Sequence, residues 1–237
     1  MLQVDRLSIH FADREEVQEV VRGISFSVQD GEIVGIVGES GSGKTMTALT
    51  IAGLFKEHAV LDAGTIRLDG TDLLKLTERE MRQVQGNRIG MIFQEPMTAL
   101  NPTMKIGRQV EEALRLHTDL DSRARKAAVL EEVELDEAEK LLSKYPHELS
   151  GGMRQRVMIA AAMICRPSLL IADEPTTALD AATQESILKL LKKLNDKYGM
   201  SILFISHNLR VVKELCTRVF VMKDGEILEE GETEVVF

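Results

Sequence analysis

The sequence predicts an α/β fold built around a phosphate-binding loop, with antiparallel β-structure at its start and a block of helices inserted before the core resumes. Three observations predict it. Gly38-Glu39-Ser40-Gly41-Ser42-Gly43-Lys44-Thr45 has P-loop spacing and sits directly behind the apolar run Ile33-Val34-Gly35-Ile36-Val37. From Ser150 onward, short apolar runs alternate with helical stretches, the rhythm of a mainly parallel sheet with crossover helices. Between these, Ile106 to Leu142 carries no strand signal and is rich in Glu, Lys, Arg, Leu and Ala.

Taken in order, Leu2 to Phe11 places Val4, Leu7, Ile9 and Phe11 on or near one face, as a half-buried strand does, and Ile24, Phe26 and Val28 repeat the pattern before an Asp30-Gly31 turn. Gly64 to Leu68 and the Asp69-Gly70 turn add another short strand. Thr77-Glu78-Arg79-Glu80 has capping-box spacing and predicts a short helix through about Val84; Ile89 to Phe93 then returns as a buried strand ending at Gln94. Ile106, Val110, Ala113 and Leu114, then Val129, Leu130 and Val133, fit amphipathic helices broken at Thr118-Asp119 and near Leu135-Asp136. The resumed core reads as helix Ser150 to Ile164, strand Leu169 to Ala172, helix Ala181 to Leu194, strand Ile202 to Ile205, helix Leu209 to Leu215 and a hairpin Arg218 to Leu228 turning at Asp224-Gly225.

Composition limits the function classes. A formal net charge of −9 over 237 residues argues against a protein that grips nucleic acid by neutralising phosphates, so no nucleic-acid partner is expected. The longest apolar runs, such as Val157 to Cys165, fall short of the ~20 residues that span a bilayer, so a membrane role has to come through a partner. No charged-then-apolar leader follows Met1, and no export signal is expected. Cys165 and Cys216 share no metal or redox spacing, and Cys165 lies in an apolar helical run; both are expected as buried free thiols in a reducing cytosol.

The chemistry concentrates at a few positions. A strand feeding a glycine turn and then a helix aims several N–H groups at one point, which receives phosphate. Within the nucleotide-binding set Gly38, Glu39, Ser40, Gly41, Ser42, Gly43, Lys44, Thr45 and Met46, the Lys44 charge is expected at the β- and γ-phosphates and the Thr45 hydroxyl on Mg²⁺. Leu169-Leu170-Ile171-Ala172-Asp173-Glu174 reads as a buried strand beside the P-loop strand that delivers Asp173 to Mg²⁺ and Glu174 to the attacking water. Alone, such an acidic pair serves equally as a helix cap and a surface charge; the P-loop in the same chain favours the catalytic reading. Gln94, at a strand end, is placed to touch Mg²⁺ or its water, and His207, after Ser206, to sit beside the γ-phosphate. Ser150 reads as an N-cap whose following Gly151 and Gly152 leave the first N–H groups of a helix bare, a second anion receptor. One nucleotide needs one P-loop, so the second receptor points to a nucleotide sandwiched between two chains.

P-loop, Gln94, Leu149-Ser150-Gly151-Gly152, the Asp173-Glu174 strand, Thr177-Ala178-Leu179-Asp180 and His207 occur in the order found in ATP-binding-cassette ATPases, which this sequence resembles over essentially its whole length. The resemblance implies a single cassette domain over residues 1–237, a RecA-like P-loop NTPase core with an antiparallel β-subdomain, and a helical subdomain over about residues 95–165. It implies that Phe11 stacks on adenine, that Ser150, Gly151 and Gly152 bind the γ-phosphate held by the opposite subunit, that Asp180 lies at the dimer interface, and that Glu174 is the catalytic carboxylate, with ATP and Mg²⁺ as ligands. Phe93-Gln94-Glu95-Pro96-Met97-Thr98-Ala99-Leu100-Asn101-Pro102, Tyr145-Pro146-His147-Glu148, and Met153 where many relatives have Gln, are similar to the first of the two ATPase subunits of oligopeptide, dipeptide and nickel importers. That likeness implies a second ATPase subunit as heterodimer or homodimer partner, membrane permeases whose coupling helices dock near Gln94 and the helical subdomain, an extracytoplasmic substrate-binding protein, and a peripheral place on the cytoplasmic face of the membrane. Many peptide-type relatives run on past the position matching Phe237, some with a Cys-rich segment, which leans towards a short nickel- or metal-complex-type subunit or a shortened chain. A soluble non-transport ATPase and an exporter cassette are the alternatives.

Overall fold

The computed structural model describes residues 1–12, 17–55, 58–118, 122–177 and 179–237. In chain order, β1 (Leu2–Ala12), β2 (Val17–Val28), β3 (Ile33–Val37), α1 (Lys44–Ile51), β4 (Ala59–Leu68), β5 (Thr71–Asp72) and α2 (Glu78–Val84) come first. Then follow β6 (Ile89–Ile92), α3 (Pro96–Ala99), α4 (Ile106–His117), α5 (Ser122–Glu132), α6 (Ala138–Leu141), α7 (Gly151–Met163), β7 (Leu169–Asp173) and α8 (Ala181–Tyr198). The chain closes with β8 (Ser201–Ser206), α9 (Leu209–Leu215), β9 (Arg218–Lys223), β10 (Glu226–Glu232) and α10 (Thr233–Val236). These elements form two compact units, one of residues 1–82 and 201–237, the other of residues 83–200.

In the first unit β1 lies antiparallel between β2 and β4, with β5 added at the edge of β4. Alternation along β1 buries Leu2 and Val4 and leaves Gln3 and Asp5 exposed; an irregularity between Val4 and Leu7, with Arg6 at φ +47°, then shifts the period by one residue so that Leu7 and Ile9 are buried as well. A second group of strands is parallel: β3 pairs with β8 on one side, Val34 opposite Leu203, and with β9 on the other, Gly35 opposite Val219. β10 closes this group antiparallel to β9. All of β3 and β8 is buried, because strands inside a parallel sheet are covered on both faces. Each fully buried Ile, Leu or Phe here contributes about 1.5–3 kcal/mol of transfer free energy.

This arrangement corrects one expectation. The strand carrying Asp173 was expected beside the P-loop strand, but both edges of β3 are occupied by β8 and β9. The apolar run Ile202 to Ile205 is as hydrophobic as Leu169 to Ala172, so composition does not rank the two as neighbours of β3.

In the second unit β6 and β7 are parallel, with Ile92 opposite Ala172. Between them in sequence lie only helices and one 3₁₀ turn, Pro146–Glu148, and residues 96–163 contain no strand among the described residues. α4 buries Ile106, Val110 and Leu114 on one stripe, and α5 buries Val129 and Leu130. α7 is continuously apolar from Val157 to Met163 and packs against α3, α4 and α5, with Val157, Ile159 and Ala160 fully buried. The helix breaks fall at Thr118, the C-cap of α4, and between α5 and α6; Asp119 lies outside the described residues. Thr77 and Glu80 form the reciprocal capping box: Glu80 Oε2 accepts from the Thr77 N–H at 2.8 Å and Thr77 Oγ1 accepts from the Glu80 N–H at 3.3 Å.

Cys216 is buried and burial pushes its thiol well above the ordinary range. Cys165 departs from expectation. α7 ends at Met163 with Ile164 as C-cap, so Cys165 falls past the helix and is only half-buried. No helix among the described residues is long and apolar enough to cross a membrane.

Candidate functional site

In the first unit the buried strand β3 runs into residues 38–43 and then α1. Gly43, the N-cap of α1, has φ +100°, and a Cβ there would lie 2.5 Å from the Val20 carbonyl oxygen; only glycine fits both the backbone and the space. As a glycine, Gly43 has no side chain with which to cap α1. Lys44 is 4 % exposed, and its ammonium donates to the carbonyls of Gly38 at 2.8 Å and Glu39 at 2.7 Å. The loop is thereby folded around one fixed positive charge. Glu39, Ser40 and Gly41 form its exposed rim, Ser42 and Met46 are buried beneath it, and Thr45 is half-buried. The Met46 side chain therefore belongs to the core, which leaves only its backbone to the site.

Phe11 and His207 are also in the first unit. Phe11 is half-buried near the end of β1, opposite Gln18 of β2 and Ala59 of β4. His207 follows β8 directly and is exposed, while Ser206 before it is buried and its hydroxyl accepts from the Asn208 N–H at 3.0 Å. A serine turned inward at the strand end leaves the histidine turned outward.

The second unit gathers the acidic residues. β7 is buried along its length and ends at Asp173, 3 % exposed. Glu174 follows in the left-handed region, φ +47°, a conformation uncommon for a residue with a side chain. Two donors converge on one oxygen of this carboxylate: Gln94 Nε2 to Glu174 Oε2 at 3.2 Å and Thr177 Oγ1 to the same oxygen at 2.9 Å. The Thr177 N–H also donates to the Glu174 carbonyl at 3.1 Å, which closes the turn. The structure thus brings Gln94 and Glu174 together as a pair, and adds Thr177, which the sequence reading carried only as part of a motif.

α7 starts at the second expected receptor. Ser150 is its N-cap and accepts from the Met153 N–H at 3.3 Å. A Cβ on Gly151 would meet nothing within 4 Å, whereas one on Gly152 would lie 2.9 Å from Thr183 Cγ2. Asp180 is the N-cap of α8, and its carboxylate accepts from Thr183 N–H at 2.9 Å and Thr183 Oγ1 at 2.7 Å. These hydrogen bonds, the backbone one foremost, hold the exposed Asp180 carboxyl below its ordinary range. Ala178, between Thr177 and Asp180, lies outside the described residues. Thr183 was not anticipated; a threonine at the third position of a capped helix gives no sign in sequence of the glycine it faces.

The stretch after Gln94 exposes Phe93 and Met97, while Leu100 is buried. Gln109 of α4 pins the loop behind α3: its Oε1 accepts from the Asn101 N–H at 2.8 Å, and its Nε2 donates to the Asn101 carbonyl at 3.0 Å and the Met104 carbonyl at 2.7 Å. Arg154 of α7 donates to the Pro146 carbonyl at 2.7 Å and contacts Met97 Sδ, which joins Tyr145-Pro146-His147-Glu148 to the same surface.

Residues 21–177 match the protein-family model described as ABC transporter. Over its whole length the chain is 47% identical to a probable peptide ABC transporter ATP-binding protein of Sinorhizobium fredii, covering 72% of that protein, and 46% identical to the dipeptide transport ATP-binding protein DppD of Haemophilus influenzae, covering 73%. Among solved structures, the dimeric post-hydrolysis state of the ATP-binding cassette MJ0796 bound to ADP and Pi superimposes with a TM-score of 0.88 at 30% identity, covering 98% of this chain and 99% of that one.

Proposed function

Because this chain belongs to the ABC transporter family as an ATPase domain, we propose that it powers a membrane importer of peptides. The relatives named for peptide and dipeptide transport support this cargo class over nickel complexes. The observation that carries the catalytic part is the Glu174 turn: a carboxylate at the end of a buried strand, in a strained backbone conformation, oriented by Gln94 and Thr177.

In the proposed reaction, Lys44 and the first turn of α1 hold the triphosphate, and Glu174 accepts a proton from the water that attacks the γ-phosphorus while the bond to the β-phosphate oxygen breaks. Products are ADP and inorganic phosphate. Gln94 orients that water against Glu174, and His207 donates to the γ-phosphate. Phe11 stacks on the adenine. Ser150, Gly151 and Gly152 present the N-terminus of α7 to the γ-phosphate held by a partner cassette, with Asp180 at the same interface. A structural relative solved as a dimer bound to ADP and Pi supports a reading with two cassettes.

Mg²⁺ fits the donor set. Asp173, with its buried carboxylate, and Thr45, with its hydroxyl, would hold the ion. When bound it neutralises charge developing on the phosphates. The helical subdomain of residues 95–165, with Phe93 exposed just before it in sequence and Met97 exposed within it, is the proposed seat of a permease coupling helix. The subunit then works at the cytoplasmic face of the membrane with a second ATPase subunit and an extracytoplasmic binding protein.

Glu174→Gln tests the assignment. ATP binding is expected to persist while steady-state hydrolysis falls by about 10²- to 10⁴-fold, the usual worth of a general base. Hydrolysis at the unmodified rate would remove Glu174 from its role.

A further inference from the structure

The N-termini of α7 and α8 meet at one contact. Gly152 leaves no room for a Cβ, because Thr183 Cγ2 stands 2.9 Å from where that atom would be. Elsewhere a methyl at the end of a side chain turns away cheaply. Thr183 cannot do so without loss: its χ1 sets both methyl and hydroxyl, and the hydroxyl is held at 2.7 Å by Asp180 Oδ2 while the Thr183 N–H is held at 2.9 Å by Oδ1. Turning the methyl aside breaks the hydroxyl bond to an ionised acceptor. A rigid wedge results, anchored in the α8 cap and pressed on the first turn of α7.

We infer that Thr183 is a positioning residue for ATP hydrolysis: locked by Asp180, it sets the placement of the first turn of α7, and with it the N–H groups offered to a γ-phosphate. The inference rests on the proposed role of Ser150 to Gly152. It assigns to Gly152 a reason to be glycine that is separate from room for the nucleotide. Gly151 has open space and faces outward; Gly152 is the position at which α8 sets α7. Asp180 acts through the same contact, since it fixes the Thr183 rotamer from within its own chain.

A suppressor experiment separates the two reasons. ATPase rates of the complete transporter are measured against ATP concentration for the unmodified subunit, Gly152→Ala, Thr183→Ser and the double variant, with melting temperatures of the purified subunits alongside. Thr183→Ser keeps the hydroxyl and deletes the methyl, so it opens space for the alanine Cβ. Gly152→Ala is expected to raise KM for ATP about tenfold with little change in melting temperature, and the double variant to return to within about threefold of Thr183→Ser. A double variant as impaired as Gly152→Ala would mean that the nucleotide itself needs the glycine, and would overturn the inference. Should Gly152→Ala fail to fold, Thr183→Leu presses the same contact from the other side; an unmoved KM there overturns it equally. An unmodified transporter without ATPase activity would instead break the functional reading beneath it.

Discussion

Two helix N-termini in this chain are proposed to face phosphate, and they are built on opposite plans. α1 begins behind a left-handed glycine with no side-chain cap, and the loop before it is folded around the buried ammonium of Lys44. α7 begins with a serine that satisfies one of its own N–H groups, and its first basic residue, Arg154, is turned to the Pro146 carbonyl. The first receptor combines a full charge with the helix dipole. The second has dipole and N–H groups alone, worth about 0.3–1 kcal/mol for one charge at an exposed helix end. A site of the first kind captures a nucleotide; one of the second kind suits reading a phosphate already held elsewhere. This asymmetry suits the proposed sandwich between two chains, in which each chain would bind its own ATP before the two close.

The largest test of that contrast is Lys44→Ala. It removes the charge on which the two receptors differ and leaves the Gly38 and Glu39 carbonyls without their ammonium donor. Charge-assisted hydrogen bonds are worth about 1.5–3 kcal/mol each, so ATP affinity, read by equilibrium dialysis, is expected to fall by roughly a hundredfold or more. Affinity within a few-fold of the unmodified chain would mean that the dipole suffices at α1 too, and the contrast would collapse.

Acid should separate the two receptors by a smaller amount. The contact at α7 depends on the Asp180 carboxylate, which hydrogen bonds from Thr183 hold below its ordinary range. A folded value below the unfolded one means that the stabilisation is complete above the unfolded carboxyl range near ~4 and is lost as pH falls through the folded value. The Thr183 amide resonance is expected to shift as pH falls below the ordinary carboxyl range while the Thr47 amide, bonded to the Gly43 carbonyl at 2.9 Å, stays in place. Simultaneous movement of both would show a global acid transition rather than local release of the cap.

Much of this was legible in the chain, for physical reasons that differ by element. α9 spans the expected Leu209–Leu215, and β7 and β8 differ from expectation by one residue at an end or at each end, because short apolar runs between turn residues mark buried strands closely. β2 begins at Val17 and β4 at Ala59, both earlier than expected, since their outer halves carry residues such as Gln18, Glu19 and Ala63 whose pairing with β1 overrides composition. Strand order was not legible: nothing in two equally apolar runs tells which one lies beside β3. At the site, Ser150 and the P-loop glycines were visible from local rules of capping and turns, whereas Asp180 came only with the family resemblance. The Thr177 hydroxyl on Glu174 and the Thr183 methyl against Gly152 were not, because each depends on contacts that only the folded turn or helix pair brings together.

The smallest effect belongs to Gly151, and it sharpens the comparison most directly at the level of single atoms. A glycine in the P-loop such as Gly43 is demanded by a positive φ and a carbonyl in the way; Gly152 is demanded by its neighbour Thr183; Gly151 lies in ordinary helix, outside the positive-φ residues, with nothing within 4 Å of a Cβ. Fold alone therefore gives no reason for it. Alanine at such a position narrows the unfolded ensemble and improves helix propensity, so Gly151→Ala is expected to stabilise by about 0.4–1 kcal/mol. For a chain of 237 residues this is a rise in melting temperature of roughly 1–4 °C. A rise in melting temperature accompanied by weaker ATPase would place the need for this glycine in the phosphate contact, since the folded subunit prefers the alanine. A fall in melting temperature would instead show that the first turn of α7 needs glycine for its own backbone, and the proposed division between the two adjacent glycines would be lost.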